Sequence, residues 1–395
     1  MGYTASMSLR FLQLSDLHLG ASLTGLPAEI AEALRAAVRE ATAHAFEQAR
    51  QQSVELVLLP GDLFEQDGID PAAQLRFVYE QAAALAPVPV VIAPGNHDAV
   101  GPDSPYVTES VPGNVIVFTA GELETVSTPA GPVAGRGVQA GEGAGALRWS
   151  AVRAEQQGEA SVLVLHASVL GVSDGRYRRN TVVPTTIEKL SETAFSYIAL
   201  GHYHRYQEWV HPVRGLPFAA YAGCPQGLGW DEPGEKGYLL GELGAEGARL
   251  TFQPAAKHAW HRHELRLPPE HLPQAEAVLL AALQSVYDAV GPEDLLELRV
   301  SGRWPAADRA ALEKRLGDVL SRAWHSRALD LSAVDFHPPL VGAGESELID
   351  AFTALCDSGL ADVAEDDEAE RQAWQLARYL GLRLLSGQGL PGEVA

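Results

Sequence analysis

Seven side chains in five short segments carry the donor chemistry of a two-cation site. They are Asp16 and His18 in Asp-Leu-His, Asp62 in Gly-Asp, Asn96 in Gly-Asn-His-Asp, His166, and His202 and His204 in Gly-His-Tyr-His. Carboxylate, amide and imidazole donors of this mixture are compatible with Mn, Fe or Zn. Two such ions sharing a carboxylate sit roughly 3.5–4 Å apart, lower the pKa of a water held between them and neutralise charge on a phosphoryl group. The chemistry implied is phosphoester hydrolysis. Each piece alone is weak. Gly-Asp is an ordinary turn, Asp-X-His a common surface pairing, and a lone His166 behind four apolar residues a satisfied core histidine. The ordered set is what points to a site.

Asp62 is the natural bridging carboxylate, because it follows a glycine and little backbone stands in its way. Asp16 and His18 are expected to alternate along an extended segment and so share one side. The same pattern in His202 and His204 serves two neighbouring ions or grips one.

These residues need elements that deliver them to one place. Apolar runs at 9–14, 54–59 and 88–93 read as buried strands, each ending just before Asp16, Asp62 or Asn96. Helices are expected over 27–52, where Ile30, Leu34, Val38 and Ala41 recur at helical spacing, and from Pro71 to about Leu85. Strands alternating with helices imply a mixed or parallel sheet covered by helices, with ligands collecting at the carboxyl ends of its strands. Further runs at 162–165 and 197–200 precede His166 and His202, and strand-like pieces at 218–222, 237–243 and 248–254 suggest a second sheet packed on the first. Residues 261–335 read as a small α/β unit: strand 261–267, helix 271–289, strand 295–301, helix 305–323 and a weak strand at 327–332. A linker at Pro338-Pro339 and Gly342–Gly344 leads to helices at about 345–357 and 367–385. The domain boundaries expected are 8–258, 259–337 and 338–395.

The chain has 395 residues and a formal net charge of −22, which argues against a general nucleic-acid coating protein. Residues 340–395 alone hold eleven Asp/Glu and three Arg. The two cysteines, Cys224 and Cys356, build no disulfide framework, so a reducing cytoplasm is expected. No apolar run is long enough to cross a membrane and no secretory leader is recognisable. Against the acidic background, Arg176, Arg178, Arg179 and Arg205, with Lys189, form the most basic stretch. They would hold a phosphate backbone without reading bases, or else form a solvated charged loop. His258, His261 and His263 lack acidic or cysteine partners at convincing spacing and read as an ordinary polar strand. The stripe Trp374, Ala377, Leu380, Gly381 and Leu384 in the last helix reads as packing on the protein's own surface or as a docking face.

The wording Asp-Leu-His-Leu-Gly, Gly-Asp-Leu-Phe, Gly-Asn-His-Asp and Gly-His-Tyr-His resembles the calcineurin-like metallophosphoesterase superfamily. It is most similar to the bacterial SbcD-type DNA repair exonucleases, within their shorter YhaO-like branch. The resemblance covers about residues 8–245. It implies an α/β fold: a two-sheet β-sandwich flanked by helices, with a small α/β capping domain that contacts DNA and C-terminal helices. It implies one ion held by Asp16, His18, Asp62 and His204, and another by Asp62, Asn96, His166 and His202, with two manganese ions as the usual cofactors. His97, beside Asn96, is the expected general acid, and Asp98 is expected to orient His97 or an outer-shell group. An acid stands at Glu65 where archaeal relatives often carry a histidine, and no role is assigned to it.

A metal-dependent DNA nuclease in DNA repair is therefore expected, with exonuclease action on duplex ends and endonuclease action on single strands. The resemblance also implies a homodimer and an SbcC-like, SMC-type ABC ATPase as partner, with no membrane association. A small-nucleotide phosphodiesterase or phosphatase is the first rival, although it needs no second domain or docking tail. A scaffold subunit of an ATPase complex is the other, disfavoured by the complete ligand set. A phosphoprotein phosphatase is disfavoured because no Asp-Arg-Gly follows Asp62.

Overall fold

Each apolar run that ends at a motif forms a strand in the computed structural model, which describes residues 9–142, 147, 149, 152, 161–172, 181–244, 247–269, 274–337, 347–364 and 367–386. The chain divides into two units, one ending at Trp260 and the other beginning at His261.

In the first unit, β1 (Leu9–Gln13), α1 (Ala28–Gln51), β2 (Leu56–Leu59), α2 (Pro71–Ala83), β3 (Val90–Ile92), α3 (Pro105–Thr108) and β4 (Val115–Val117) follow one another. Next come β5 (Glu124–Thr128), β6 (Gly131–Gly135), β7 (Val162–His166), α4 (Ile187–Ser191), β8 (Tyr197–Gly201), β9 (Gln207–Val210), β10 (Pro217–Tyr221), β11 (Gly237–Gly244) and β12 (Gly247–Pro254). They build two six-stranded sheets, ordered β12-β11-β1-β2-β3-β4 and β5-β6-β7-β8-β10-β9. Strands β1 to β4 run parallel, with the β11–β12 hairpin antiparallel beside β1. In the second sheet β6, β7, β8 and β10 run parallel between antiparallel edge strands. The fold is a mixed α/β arrangement of two multi-strand sheets flanked by helices, as the sequence led one to expect.

Why the strands read as continuous apolar runs is visible in the packing. Leu56 and Leu58 of β2 face Val162, Val164, Tyr197 and Ala199 in the layer between the sheets. Val57 and Leu59 face the opposite way, against Val38, Phe46, Leu75 and Val78 of α1 and α2. Both faces of β2 and β3 are covered, so the period-2 alternation of these two strands carries no polar residue. Helix α2 opens on Asp70, whose side chain accepts from Ala73 N at 3.0 Å, and on Pro71, whose missing N–H costs nothing there. The buried Gln13 ties the sheets together. Its Nε2 donates to Leu200 O at 3.1 Å and Ala220 O at 3.0 Å, and its Oε1 accepts from Tyr197 OH at 2.5 Å. Strands β4, β5, β6 and β9 were not expected from the sequence.

The second unit contains β13 (Trp260–Arg266), α5 (Ala275–Ala289), β14 (Leu295–Pro305), α6 (Arg309–Leu320), β15 (His325–Ser326), β16 (Val334–His337), α7 (Glu347–Asp362) and α8 (Glu368–Leu385). A four-stranded sheet, β13-β14-β15 with β16 also paired to β14, packs Leu265, Leu296, Leu298 and Val300 on Leu279, Leu283, Leu312 and Leu316 of α5 and α6. Two expectations are corrected here. The weak strand expected at 327–332 shrinks to a single parallel bridge between Asp330 and Arg299: Asp330 Oδ1 accepts from Ser332 N at 2.8 Å in a turn, and the rest of the pairing falls to β15 and β16 on either side. The stripe on α8 is rotated from the expected one, with Tyr379 and Arg383 buried while Ala377 and Leu384 are exposed. Helices α7 and α8 pack closely where Gly359 meets the Trp374 ring and Gly381 meets Phe352. The linker at 338–344 lies outside the described residues. No helix among the described residues is long and apolar enough to cross a membrane.

Candidate metal centre

The three ligand-bearing segments of the first sheet leave β1, β2 and β3 at their carboxyl ends, and His166 and His202 stand at the carboxyl ends of β7 and β8. Residues up to about 190 apart in sequence therefore converge on one edge of the sandwich. The backbone of this edge is strained. Asp16, His18, Asp62 and His202 have φ values of 54°, 46°, 52° and 113°. Non-glycine residues in this region cost of order 1–3 kcal/mol each and concentrate at functional sites. The expected extended Asp16–His18 segment is thus corrected. It instead coils beside the turn after β2, with Asp16 N donating to Gly61 O and His18 N to Asp62 O, both at 3.0 Å. The motif glycines allow the approach of these loops. A Cβ on Gly95 would stand 2.2 Å from Asp62 Oδ1, and one on Gly201 would stand 1.8 Å from Pro60 O.

Three groups of donor atoms lie within 4.8 Å of one another around Asp62: Asp16, His18 and His204; His18, Asp62 and His97; and Asp62, His166 and His202. A single oxygen of Asp62, Oδ2, lies 3.2 Å from His166 Nε2 and 3.8 Å from His18 Nε2. Asn96 completes the set, its Oδ1 being 3.1 Å from His166 Nε2. All seven expected ligands are thus brought together.

The donor set fits cations. His166 Nδ1 lies 2.9 Å from Pro60 O, so that nitrogen carries a proton and Nε2 is the one directed at the oxygens of Asp62 and Asn96, where either a second proton or a cation would answer them. His18 Nδ1 faces Glu65 Oε1 at 2.7 Å and His204 Nδ1 faces Glu232 Oε1 at 2.6 Å, which leaves their Nε2 atoms facing each other at 3.0 Å. Opposed acceptors at these distances accommodate a proton or a metal ion. Asp16 Oδ1 accepts from His202 N at 2.8 Å, while Oδ2 is buried with no hydrogen-bond partner among the described residues.

The protein's own charges answer this crowding. Burial pushes Asp62 up, but His166, His18 and His97 outweigh it and hold the carboxyl well below its usual range. Burial opposes charge on His166 and His204, yet Asp62 and Glu232 raise them to about 9. Burial, with His166 beside it, lowers His202 to about 3. The hydrogen bond that His97 donates to Glu65 raises His97 to about 9. Burial raises Glu65 and Glu232, and the histidines they face bring both down to about 2.

His97 is half-exposed and its Nδ1 lies 2.8 Å from Glu65 Oε2. Asp98 does not touch it. The Asp98 carboxylate accepts instead from the backbone amides of Asp62, Leu63 and Gly95 and from Tyr106 OH, because the chain turns its side chain inward, away from His97. Glu65 and Glu232, which meet the candidate ligands His18 and His204, were not given a role from the sequence. Glu65 follows the Gly-Asp-Leu-Phe motif directly, which was a usable signal, whereas Glu232 sits in an unremarkable loop between β10 and β11.

Asp16, His18, Glu65, His97, His204 and Glu232 help line a cavity of about 250 Å³, and no Lys or Arg is among its described lining residues. Arg205 is exposed next to His204. Arg176, Arg178 and Arg179 lie outside the described residues. His258 is buried against Gln226, and His261 Nε2 pairs with Asp294 Oδ2 at 3.1 Å. Neither they nor His263 enter a potential metal group among the described residues.

Residues 9–206 match the family model described as calcineurin-like phosphoesterase. The uncharacterized metallophosphoesterase YhaO of Bacillus subtilis strain 168 is 28% identical over 269 residues, which cover 64% of this chain and 62% of that protein. The alignment thus spans less than two thirds of this relative's length. A dimetal phosphatase from Danio rerio, known from its crystal structure, aligns with a TM-score of 0.36 and 11% identity, over 62% of this chain and 99% of that one.

Proposed function

The chain belongs to the calcineurin-like phosphoesterase family, and from that premise we propose that it is a two-metal-dependent DNA nuclease of repair, an exonuclease on duplex ends and an endonuclease on single strands. The observation that carries the two-metal reading is the position of Asp62 Oδ2 between His166 and His18. Asp16, His18, Asp62 and His204 would hold one ion, and Asp62, Asn96, His166 and His202 the other, with manganese as the proposed metal. Bound there, divalent ions supply Lewis acidity and an activated water for in-line attack on phosphorus.

The protein's own side chains then divide the remaining tasks. The cavity has acidic walls and no lysine or arginine among its described lining residues, so attraction for a phosphodiester depends on the ions. His97 lines the same cavity with Nδ1 engaged by Glu65, and Nε2 is the nitrogen left to protonate the departing sugar oxygen. Arg205, with Arg176, Arg178 and Arg179, is proposed to hold the backbone. A polymer substrate is favoured over a small nucleotide by the second unit, which among the described residues adds a sheet and four α-helices to the phosphoesterase fold. The homodimer and the SbcC-like ATPase partner belong to the same proposal.

The test compares wild type with Asp62→Ala and His97→Ala on labelled duplex, single-stranded DNA and bis-p-nitrophenyl phosphate, with Mn²⁺ and with chelator. Asp62→Ala is expected to lose every activity. His97→Ala is expected to retain metal and to cut DNA about 10²–10⁴-fold more slowly. Undiminished DNA cleavage by His97→Ala removes its role, and hydrolysis of the small ester without cleavage of any DNA replaces the polymer by a small substrate.

A further inference from the structure

We propose that Glu65 is a positioning residue shared by the metal centre and the proton donor, its two oxygens holding Nδ1 of His18 and Nδ1 of His97 at once. The inference deepens the phosphodiesterase reading and rests on it for the role of His97.

The two contacts use different oxygens: Oε1 stands 2.7 Å from His18 Nδ1, and Oε2 stands 2.8 Å from His97 Nδ1. A carboxylate only accepts, so each ring presents an N–H to it and keeps Nε2 for other work. For His18 that nitrogen faces Asp62 Oδ2 and His204 Nε2. For His97 it is the nitrogen from which a proton can pass to the leaving oxygen as the P–O bond breaks; the Nδ1 proton stays with the Glu65 contact. The rings stand edge to face, 4.8 Å between centroids and 82° between planes, so one carboxylate spans both.

The backbone repeats the side-chain arrangement. Glu65 N donates to Leu19 O at 3.0 Å, one residue past His18, and Gln66 N donates to His97 O at 2.9 Å. Phe64 and Leu19 also form a parallel bridge. Glu65 is therefore the junction at which the loop bearing His18, the loop bearing Asp62 and the loop bearing His97 are fixed relative to one another. A carboxylate behind a ligand histidine fixes its tautomer and ring orientation, and its loss weakens metal binding. This carboxylate does so while aiming a second histidine that does not need to bind metal.

The experiment uses the full chain as wild type, Glu65→Gln, Glu65→Ala, His97→Ala and the Glu65→Gln/His97→Ala pair, each checked for folding by circular dichroism. Glutamine keeps the shape, but its amide can accept from only one of the two rings. Metal-free protein is titrated with Mn²⁺, with free Mn²⁺ read by electron paramagnetic resonance. At saturating Mn²⁺, cleavage of DNA, whose leaving alkoxide needs a proton, is compared with cleavage of bis-p-nitrophenyl phosphate, whose leaving phenolate does not. Both Glu65 variants are expected to bind one Mn²⁺ about 10–100-fold more weakly. Glu65→Gln should lose DNA cleavage far more than ester hydrolysis at saturating metal, and the pair should be no slower on DNA than His97→Ala alone, as for residues acting as one unit. Wild-type Mn²⁺ affinity in both Glu65 variants overturns the proposal, as does multiplicative loss in the pair. If wild type cuts no phosphodiester, the reading of the reaction fails, while the Mn²⁺ titration still decides whether Glu65 positions His18.

Discussion

Asp98 accepts a hydrogen bond from the backbone amide of Asp62 at 3.1 Å, although the two residues are 36 apart in the chain. The same carboxylate accepts from Leu63 N at 2.8 Å, Gly95 N at 2.6 Å and Tyr106 OH at 2.7 Å. It thus pins the turn that carries Asp62 to the turn that carries Asn96. Asp98→Asn replaces an acceptor with a donor opposite an N–H, and each buried donor left unsatisfied costs about 1–3 kcal/mol. The variant should melt earlier in denaturant and bind Mn²⁺ more weakly, whereas His97→Ala should do neither. Tyr106→Phe removes one of the four bonds and should cost about 1 kcal/mol. An Asp98→Asn protein of wild-type stability and metal affinity that nevertheless cannot cut would put Asp98 in the chemistry instead.

Gly95 tests the closeness of the loops. A methyl group there would meet Asp62 Oδ1 at 2.2 Å and His166 Nδ1 at 2.7 Å, so the ligands themselves must move. Gly95→Ala should lose most Mn²⁺ affinity in a calorimetric titration and destabilise the fold by about 1–3 kcal/mol, the usual range for overpacking. Gly25→Ala, with open space around its Cβ, is the control and should change neither.

Glu232 predicts an effect on metal without any contact with substrate. Its Oε1 holds His204 Nδ1 at 2.6 Å and its Oε2 accepts from Leu228 N at 2.8 Å. Glu232→Gln should weaken the ion on the His204 side by roughly tenfold or more, since partners behind metal histidines typically contribute that much. Isothermal titration would show one site altered and one retained; two unaltered sites would remove the role.

The second unit offers a pH test of its own. Glu297 receives Arg262 Nε and an Arg327 guanidinium nitrogen at 2.5 Å each, with Arg299 at 3.4 Å. Burial pushes its carboxyl up, but Arg327 and Arg262 prevail and hold it below the ordinary range. The folded value lies below the unfolded one, about 4.3, so the cluster's contribution is fully present above that pH and is lost as pH falls through the folded value. Thermal melts from about pH 7 to 3 should show this loss in wild type and a shallower slope in Glu297→Gln. Equal slopes would mean that the arginines act without Glu297.

Much of the centre is legible in the sequence because its ligands obey strand topology. Asp16, Asp62, Asn96, His166 and His202 each stand at or just past the end of an apolar run, and parallel strands deliver their ends to one edge. What could not be read depends on loops meeting each other. The left-handed turns at Asp16 and His18, the inward rotation of Asp98 and the paired contacts of Glu65 are set by residues 32 to 47 positions away. Strand β5 escaped notice for a different reason: none of Glu124–Thr128 is buried, so no apolar run marks it. In the second unit, the Asp330–Ser332 turn limits the pairing that a short apolar stretch suggested to a single bridge between Asp330 and Arg299.

Gln13 has a consequence for the whole catalytic edge. The ligands are contributed by two separate plates, and an oily seam between plates offers little resistance to sliding. One amide with three fixed bonds, buried at 0% exposure, removes that slack. Alignment of the two halves of the cage is therefore supported deep in the interior, by a side chain that is not among the candidate ligands.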